Sequence, residues 1–402
     1  MSLGLYLHIP YCFSKCRYCD FYSAPGQRGV PTQYVDALLR ELARFAPEAP
    51  LHPDTIYFGG GPPSLLSPAD AARLIAAAAP APGAEITLEA NPDSAGDWKA
   101  LRALRRAGFN RISLGVQSTD DVCLRALGRI HTWQQVQEAV AACRRAKFPD
   151  VSLDLIYGLP KQTPESFAFT LQKVAELNPD RLSVFNYAHL PTLFAAQRKI
   201  KDADLPSAEQ KLDILQETIV SLTAAGYQFI GMDHFARPDD ELAIAQREGI
   251  LHRNFQGYTT QGDTDLLGMG VSAISMIGDC YAQNQKELKQ YYQQVDETGT
   301  ALWRGIALTR DDCIRRDVIK ALICHFRLDF AAVETRWELD FQRYFADDLA
   351  LLAPLAKDGL VDVDEKGIQV TPKGRLLIRN ICMCFDTYLR QKARMQQFSR
   401  VI

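Results

Sequence analysis

Three cysteines near the start of the chain constrain its chemistry more than any other feature. Cys12, Cys16 and Cys19 lie in one short segment, separated by three residues and then by two. Three thiolates on one loop can hold three of the irons of a 4Fe–4S cluster, and the fourth iron then has no protein ligand nearby. The spacing therefore predicts a metal centre with one open iron.

Other interpretations of these cysteines fit less well. A zinc ion would require a fourth Cys or His at ligand spacing, and the nearby His8 is spaced unlike a zinc-finger ligand. A disulfide would leave one of the three thiols unpaired, and a buried apolar cluster is the remaining alternative. The chain has ten cysteines, and this one cluster among them favours a reducing, cytoplasmic setting over a disulfide framework.

Length and composition exclude several classes of protein. The 402 residues suffice for a large domain and a smaller one, and 47% hydrophobic with 23% charged residues is typical of a globular protein. A net charge of −3 gives no reason to expect nucleic acid or an anionic membrane as a partner. No apolar run approaches the ~20 residues of a membrane span, and no leader sequence is expected before the first strand.

Apolar strand-like runs alternate with amphipathic helical windows over about the first 230 residues. The predicted strands are Gly4–Ile9, Thr55–Phe58, Glu85–Glu89, Arg111–Leu114, Val151–Ile156, Arg181–Phe185 and Gln228–Ile230. Such alternation predicts right-handed βαβ units and an α/β fold, a partial or full TIM-type (βα) barrel. Active sites of these barrels lie at the carboxyl ends of the strands, where the cysteine loop follows the first strand.

The pattern changes in the last third of the chain. We expect residues 1–305 to form the barrel domain, with a Gln-, Asn- and Tyr-rich insertion on the substrate side at about 250–300. For residues 306–402 the pattern predicts a separate, mainly helical domain. Two predicted strands followed by a helix in it suggest a winged helix. The acidic run Asp362–Glu365 lies in its hairpin and argues against contact with nucleic-acid phosphates.

Polar and glycine residues stand where the predicted strands end. A glycine run allows close approach of a backbone to a ligand, and a polar side chain at a barrel-strand end faces the active-site mouth. Each residue alone is more often structural than a ligand, but together they predict a binding site. These residues are Gly59, Gly60, Gly61, Glu89, Gln117, Arg129 and Asp154.

The cysteine loop, the glycine run and the polar strand ends together resemble the radical S-adenosylmethionine (SAM) superfamily. Within it the chain resembles the branch that contains oxygen-independent coproporphyrinogen III oxidase and the radical SAM haem chaperones. Signature runs of the oxidase begin at Tyr157, Gly231 and Tyr258, and residues from about 153 onward are most similar to it. The first 150 residues are more similar to the chaperones, which suggests two joined halves.

The resemblance implies a set of cofactors and site residues. Cys12, Cys16 and Cys19 hold one 4Fe–4S cluster, and Tyr6 and His8 are catalytic residues beside it. One SAM molecule is bound by the strand-end residues given above. A second SAM molecule, as in the oxidase, implies a further set of contacts, namely Ala188, Gln256 and Ile274.

The resemblance also implies a reaction. Reductive cleavage of SAM yields a 5′-deoxyadenosyl radical, which takes a β-hydrogen from propionate side chains of coproporphyrinogen III. Loss of CO2 and an electron leaves vinyl groups and gives protoporphyrinogen IX, an intermediate of haem biosynthesis. We expect a monomeric oxidoreductase that receives electrons from a flavodoxin- or ferredoxin-type donor.

Two alternatives stay open at this point. A haem chaperone would bind and transfer haem without turnover, although the region from His252 lacks the adjacent His-Asn pair and the Trp of that branch. A zinc-binding winged-helix regulator is disfavoured by the barrel pattern. Phe21 and Pro62 replace a Cys and a Thr of the oxidase, and the oxidase's leading segment has no counterpart here. We therefore expect slow decarboxylation.

Overall fold

The computed structural model describes residues 2–46, 51–262 and 264–392, the last two by their backbone alone. The chain forms two compact units. The first unit comprises Met1–Gln210 and Asp263–Ala307, and the second comprises Lys211–Gly262 and Leu308–Ile402. Within the described ranges we find no helix that could serve as a membrane span.

Strands and helices are numbered separately along the chain. The strands are β1 Leu3–Ile9, β2 Tyr11–Cys12, β3 Ala24–Pro25, β4 Thr55–Gly60, β5 Glu85–Ala90, β6 Arg111–Gln117, β7 Asp150–Tyr157, β8 Arg181–Asn186, β9 Gln228–Gly231, β10 His234–Ala236, β11 His252–Asn254, β12 Gly257–Thr259, β13 Asp265–Met269, β14 Ile274–Ile277, β15 Cys280–Asn284, β16 Leu302–Ala307, β17 Arg327–Asp329, β18 Val361–Val363 and β19 Gly367–Val370. The helices are α1 Thr32–Phe45, α2 Pro68–Ala78, α3 Trp98–Ala107, α4 Asp121–Leu127, α5 Trp133–Arg145, α6 Pro164–Glu176, α7 Ala208–Ala224, α8 Glu241–Glu248, α9 Leu288–Thr298, α10 Arg310–His325, α11 Phe330–Trp337, α12 Phe341–Tyr344, α13 Ala346–Lys357, α14 Pro372–Leu376, α15 Ile378–Met383 and α16 Thr387–Lys392.

The first unit is an α/β structure around a largely parallel sheet. Its strands hydrogen-bond in the order β16-β15-β14-β13-β1-β4-β5-β6-β7-β8. The pairs from β13 through β8 are parallel, whereas β14, β15 and β16 add antiparallel pairs. In the described part of the chain no pairing joins β16 to β8, so the predicted (βα) barrel is a partial one.

The region at about 250–300 corrects one expectation. This region was expected to be a single insertion. Between residues 265 and 307, however, the chain contributes strands β13–β16 to the sheet, and β13 is parallel to β1. Alternating Gln, Asn and Tyr residues obscure the strands because antiparallel strands with a solvent-facing side do not show continuous apolar runs. Residues 252–262 belong instead to the second unit.

The second unit has its own apolar core. Phe341, Phe345 and Phe385 are fully buried in it, and β17, β19 and β18 form a small antiparallel sheet beside the helices. Residues 211–262 belong here because Ile230, Leu251 and other apolar residues pack with α10 through Cys324. Short helices meet at Phe345, between α12 and α13, and at Leu377, between α14 and α15, and their apolar residues share one core.

The buried carboxylate of Glu41 links α1 by hydrogen bonds to the β13–β15 part of the sheet and to α9. Glu41 is fully buried and accepts hydrogen bonds from the Gly270 amide at 2.8 Å, the Tyr291 hydroxyl at 2.9 Å and the Asn284 amide at 2.6 Å. Burial raises the pKa of Glu41. The three donors join α1 to the ends of β13 and β15 and to α9.

We expect Glu41→Ala to lower the free energy of unfolding by about 3 kcal/mol, because it leaves three buried donors without an acceptor. Urea unfolding followed by circular dichroism measures the change. Asp36→Ala on the same helix removes an exposed ion pair with Arg73 and serves as the control. It should cost less than about 1 kcal/mol. Equal losses in both variants would contradict the role of Glu41.

Candidate active site

Tyr6 and His8 lie on one face of β1 and share a hydrogen bond. The Tyr6 hydroxyl lies 3.0 Å from His8 Nδ1, and His8 Nε2 lies 3.1 Å from the carbonyl oxygen of Tyr22. A carbonyl only accepts, so Nε2 carries the proton and Nδ1 accepts from Tyr6. Burial lowers the pKa of His8 to about 4, which keeps the ring neutral at physiological pH.

The cysteine loop starts at the carboxyl end of β1, as predicted. Cys12 ends β2, which pairs in parallel with β3 after the loop returns. The Arg17 amide donates to the Leu127 carbonyl at 2.9 Å, and the Gln197 side chain donates to the Tyr18 carbonyl at the same distance. These contacts fix the loop between its neighbours in the first unit.

The three thiols are partly exposed, and burial raises the pKa of Cys12 to about 11 and that of Cys19 to about 12. Metal binding must therefore displace protons from them. Among the described residues no three His, Cys, Asp or Glu side chains form a ready site for one metal ion. A 4Fe–4S cluster gives each thiolate its own iron, so three Cys on one partly open loop are a donor set that fits it.

The glycine run packs directly against β1 and the cysteine loop. A Cβ atom on Gly59 would lie 2.9 Å from the Tyr6 ring, and one on Gly61 would lie 2.9 Å from Cys12 Sγ. Gly60 has a φ of +111°, and a Cβ there would lie 2.7 Å from the His8 ring. The sequence suggested that the glycines allow the backbone to approach a ligand closely. In the structure they also allow it to approach Tyr6 and His8.

We expect Gly60→Ala to displace His8 and to lower the rate of SAM cleavage by at least about tenfold, since the new methyl group clashes with the ring. Formation of 5′-deoxyadenosine by the reconstituted protein measures this rate. Gly83→Ala is the control, because Gly83 also has a positive φ, +80°, but has no atom within 4 Å of the added Cβ. A similar loss in Gly83→Ala would assign the effect to backbone strain alone.

Two carboxylates lie close to each other, Glu89 next to the end of β5 and Asp154 in the middle of β7. Contrary to expectation, Asp154 therefore does not end its strand, because β7 continues to Tyr157. Glu89 accepts from the Tyr57 hydroxyl at 2.8 Å and from the Gly60 amide at 3.1 Å, and Asp154 accepts from the Ser113 hydroxyl at 2.9 Å. Burial, with the nearby charge of Asp154 adding to it, raises the pKa of Glu89 to about 7. Burial raises the pKa of Asp154 to about 6. A positively charged ligand beside Glu89 and Asp154 would stabilise their ionised forms and so lower both pKa values.

Arg129 connects the cysteine loop with the ends of β5 and β6. Its Nη1 lies 3.7 Å from Cys16 Sγ and 3.2 Å from the Tyr18 hydroxyl. Its Nη2 donates to Asn91 Oδ1 at 3.1 Å and to the Gly115 carbonyl at 2.6 Å. The guanidinium is buried, so its charge acts on the cluster site in surroundings of low dielectric.

Gln117 ends β6 in an irregular backbone. The pairing of β6 with β7 shifts register between Gly115 and Gln117, and Gln117 has a φ of +65°. A Cβ atom on Gly115 would lie 2.8 Å from Gln117 Nε2, so the amide folds back over the glycine. Bulges of this kind often re-aim a side chain beside an active site.

The three residues predicted for a second SAM molecule lie in different places. Ala188 follows β8, and its carbonyl accepts from Gln197 at 3.1 Å. Ile274 begins β14 and is 40% exposed. Gln256 lies in the turn between β11 and β12 of the second unit, and its buried Nε2 has no hydrogen-bond partner among the described residues. Their ligand role stays a prediction.

Sequence reasoning missed the residues that hold the predicted ligands in place. Tyr57, Ser113 and Asn91 contact Glu89, Asp154 and Arg129, respectively. The period-2 alternation of strands could have indicated two of them. Tyr57 shares a strand face with Gly59, and Ser113 shares one with Gly115.

A cluster-binding loop after the first strand of a parallel sheet is the arrangement of radical SAM proteins. The model of the Radical SAM superfamily matches residues 6–174, and the HemN C-terminal domain matches residues 308–377. These matches confirm the predicted class of enzyme, with a 4Fe–4S cluster and SAM as its cofactors.

The relatives are more specific. The oxygen-independent coproporphyrinogen III oxidase of Escherichia coli is 66% identical and covers 100% of this chain and 89% of its own length. The enzyme of the same name from Pseudomonas aeruginosa is 47% identical over 100% of this chain and 88% of its own. The chain therefore belongs to the family of oxygen-independent coproporphyrinogen III oxidases.

The solved structures agree with this assignment. The structure of coproporphyrinogen III oxidase from E. coli, a radical SAM enzyme, matches with a TM-score of 0.92 and 65% identity, covering 96% of this chain and 91% of that one. The sequence match to the E. coli relative continues through residue 150, where the sequence suggested a joint. The comparisons thus favour the oxidase over the haem-chaperone alternative.

Proposed function

We propose that this chain converts coproporphyrinogen III to protoporphyrinogen IX by oxygen-independent oxidative decarboxylation of two propionate side chains. The observation that carries the proposal is that the candidate residues meet around the cysteine loop. The loop follows β1, which carries Tyr6 and His8. The Gly60 amide, beside the loop, donates to Glu89 near the end of β5, and Asp154 of β7 lies close to Glu89. Arg129 contacts Cys16 of the loop. Family membership supplies the substrate class.

The chain's residues have distinct roles in this proposal. Cys12, Cys16 and Cys19 hold the cluster, and the Arg129 guanidinium contacts Cys16 Sγ. When bound, the cluster and SAM supply abstraction of a hydrogen atom from the substrate. Other residues surround SAM, and these are Gly59, Gly60, Gly61, Glu89, Gln117 and Asp154, with Ala188, Gln256 and Ile274 proposed for a second molecule.

Tyr6 and His8 act as an uncharged hydrogen-bonding pair beside the cluster. Because His8 donates its one ring proton to the Tyr22 carbonyl, its Nδ1 holds the Tyr6 hydroxyl in a fixed direction. Burial raises the pKa of Tyr6, so the phenol keeps its proton. The pair presents an oriented neutral group to the reacting site and adds no charge there.

The overall reaction fixes what else must be present. Each propionate loses CO2, a hydrogen atom to the SAM-derived carbon and one further electron, and it becomes a vinyl group. An electron acceptor is therefore required besides the flavodoxin- or ferredoxin-type donor that reduces the cluster. A monomer and a cytoplasmic location stay proposals, the latter supported by ten cysteines that are all free thiols.

An anaerobic assay tests the proposal. The chain is reconstituted with iron and sulfide and mixed with a reductant, an electron acceptor, SAM and coproporphyrinogen III, and the tetrapyrroles are separated after oxidation to porphyrins. We expect a two-vinyl product that requires SAM. Tight stoichiometric binding of haem without any such product would favour the chaperone alternative. The expected slow turnover is read from the same time course.

A further inference from the structure

Tyr57 is a partly buried tyrosine on β4 whose hydroxyl is directed at Glu89. It donates to Glu89 Oε1 at 2.8 Å. Its ring stacks on that of Tyr6, with centroids 6.1 Å apart and an interplanar angle of 26°. The missing side chain of Gly59 leaves room for it, since a Cβ there would lie 3.0 Å from the Tyr57 ring. The hydrogen bond to Glu89 and the stacking on Tyr6 therefore together fix the position of the Tyr57 hydroxyl.

Glu89 has one donor on each carboxylate oxygen. The Gly60 amide donates to Oε2 at 3.1 Å, and Tyr57 donates to Oε1. The other titratable groups facing it, Asp154 from β7 and Tyr6 from β1, either repel the carboxylate or carry no charge. Tyr57 is thus a side chain that favours the charged form of Glu89 against burial and repulsion.

We propose that Tyr57 is a positioning residue that holds Glu89 as an oriented carboxylate, which in turn binds a positively charged or hydroxyl group of SAM. This inference rests on the proposed function and adds a residue that acts through Glu89. A phenol donates a stronger hydrogen bond to a carboxylate than to a protonated carboxyl group, so the contribution of Tyr57 depends on pH.

The sign of this dependence follows from the Glu89 pKa of about 7. Above this pKa Glu89 is ionised and binds SAM. As the pH falls through the pKa, Glu89 is protonated and its contribution to SAM binding is lost. Removal of the Tyr57 hydroxyl takes away a bond that is stronger to the charged form, so the pKa of Glu89 rises further. The pH at which SAM affinity is lost must rise with it.

The experiment measures SAM affinity of the reconstituted protein by equilibrium dialysis from about pH 6 to about pH 9. We expect Tyr57→Phe to move the midpoint upward by about one pH unit and to weaken binding roughly tenfold near neutrality. Affinity should recover at the highest pH. A packing defect would instead weaken binding equally at every pH and would overturn the proposal.

Tyr291→Phe is a matched control. Tyr291 likewise donates to a glutamate, Glu41, at 2.9 Å, and both of these residues are fully buried. Loss of that hydrogen bond destabilises the fold but should leave the pH profile of SAM binding unchanged. An upward shift in Tyr291→Phe as large as in Tyr57→Phe would show that the effect is not specific to Glu89.

Glu89→Gln supplies a second test, first as a single variant and then combined with Tyr57→Phe. It should remove the pH dependence near 7 and leave only that of Asp154, whose pKa is about 6. In the Glu89→Gln background, Tyr57→Phe should have no further effect on SAM affinity. A full additional effect there would overturn the proposal. Absence of SAM binding by the unaltered protein would instead refute the proposed function.

Discussion

Cys16→Ala is expected to abolish both the 4Fe–4S cluster and all turnover. Two remaining thiolates cannot hold three irons, and the alanine also removes the sulfur that Arg129 contacts at 3.7 Å. Iron and sulfide content after anaerobic reconstitution, together with the visible absorption of the cluster, measure the loss. SAM cleavage should fall to background in the same samples.

Cys280→Ala is the control for this loss. Cys280 is an exposed free thiol on β15, outside the cysteine loop, so its removal tests for unspecific iron binding by surface thiols. We expect normal iron content and turnover in Cys280→Ala. A complete cluster in Cys16→Ala, or stoichiometric zinc without iron in the unaltered chain, would refute the assignment of the three ligands.

Arg129→Ala is expected to have the second-largest effect. Its guanidinium joins Cys16 of the loop to Asn91 and Gly115 at the strand ends, and it is buried. Its loss leaves these acceptors unpaired and removes a charge-assisted contact worth about 1.5–3 kcal/mol. SAM cleavage should therefore fall roughly tenfold to a hundredfold, as measured by 5′-deoxyadenosine formation.

Two further variants separate charge from geometry at this position. Arg129→Lys keeps the charge but loses the planar fork, so we expect an intermediate rate. Arg125→Ala removes an exposed arginine from the last turn of α4 and should leave the rate unchanged. If Arg129→Lys were as active as the unaltered protein, charge alone would explain the role of Arg129.

The alternation of strands and helices up to β8 could be predicted because parallel strands covered on both faces read as apolar runs. The start of α2 is readable from the sequence as well, because Ser67 followed by Pro68 is a typical N-cap and first helical residue. The Ser67 hydroxyl accepts a hydrogen bond from the Asp70 amide. Strands β14–β16 could not be predicted, because their residues are largely polar or exposed and they pair antiparallel. Only the sheet as a whole stabilises them.

The site was predictable where it depends on strand ends and less so elsewhere. Glu89 stands out in the sequence because it closes an apolar strand run, and Asp154 because it is a charged residue inside one. The contact of Arg129 with Cys16 joins residues 113 positions apart, and sequence spacing carries no information on such a pair. Tyr57 reads as ordinary strand core, and only the structure shows its hydroxyl at Glu89.

Transfer of deuterium from substrate to cofactor tests the central claim most directly. Coproporphyrinogen III deuterated at the propionate β-carbons is incubated anaerobically with the reconstituted chain, a reductant, an electron acceptor and SAM, and 5′-deoxyadenosine is analysed by mass spectrometry. We expect one deuterium in the 5′-deoxyadenosine that accompanies each vinyl group formed. Unlabelled 5′-deoxyadenosine with no vinyl product would contradict the proposed reaction.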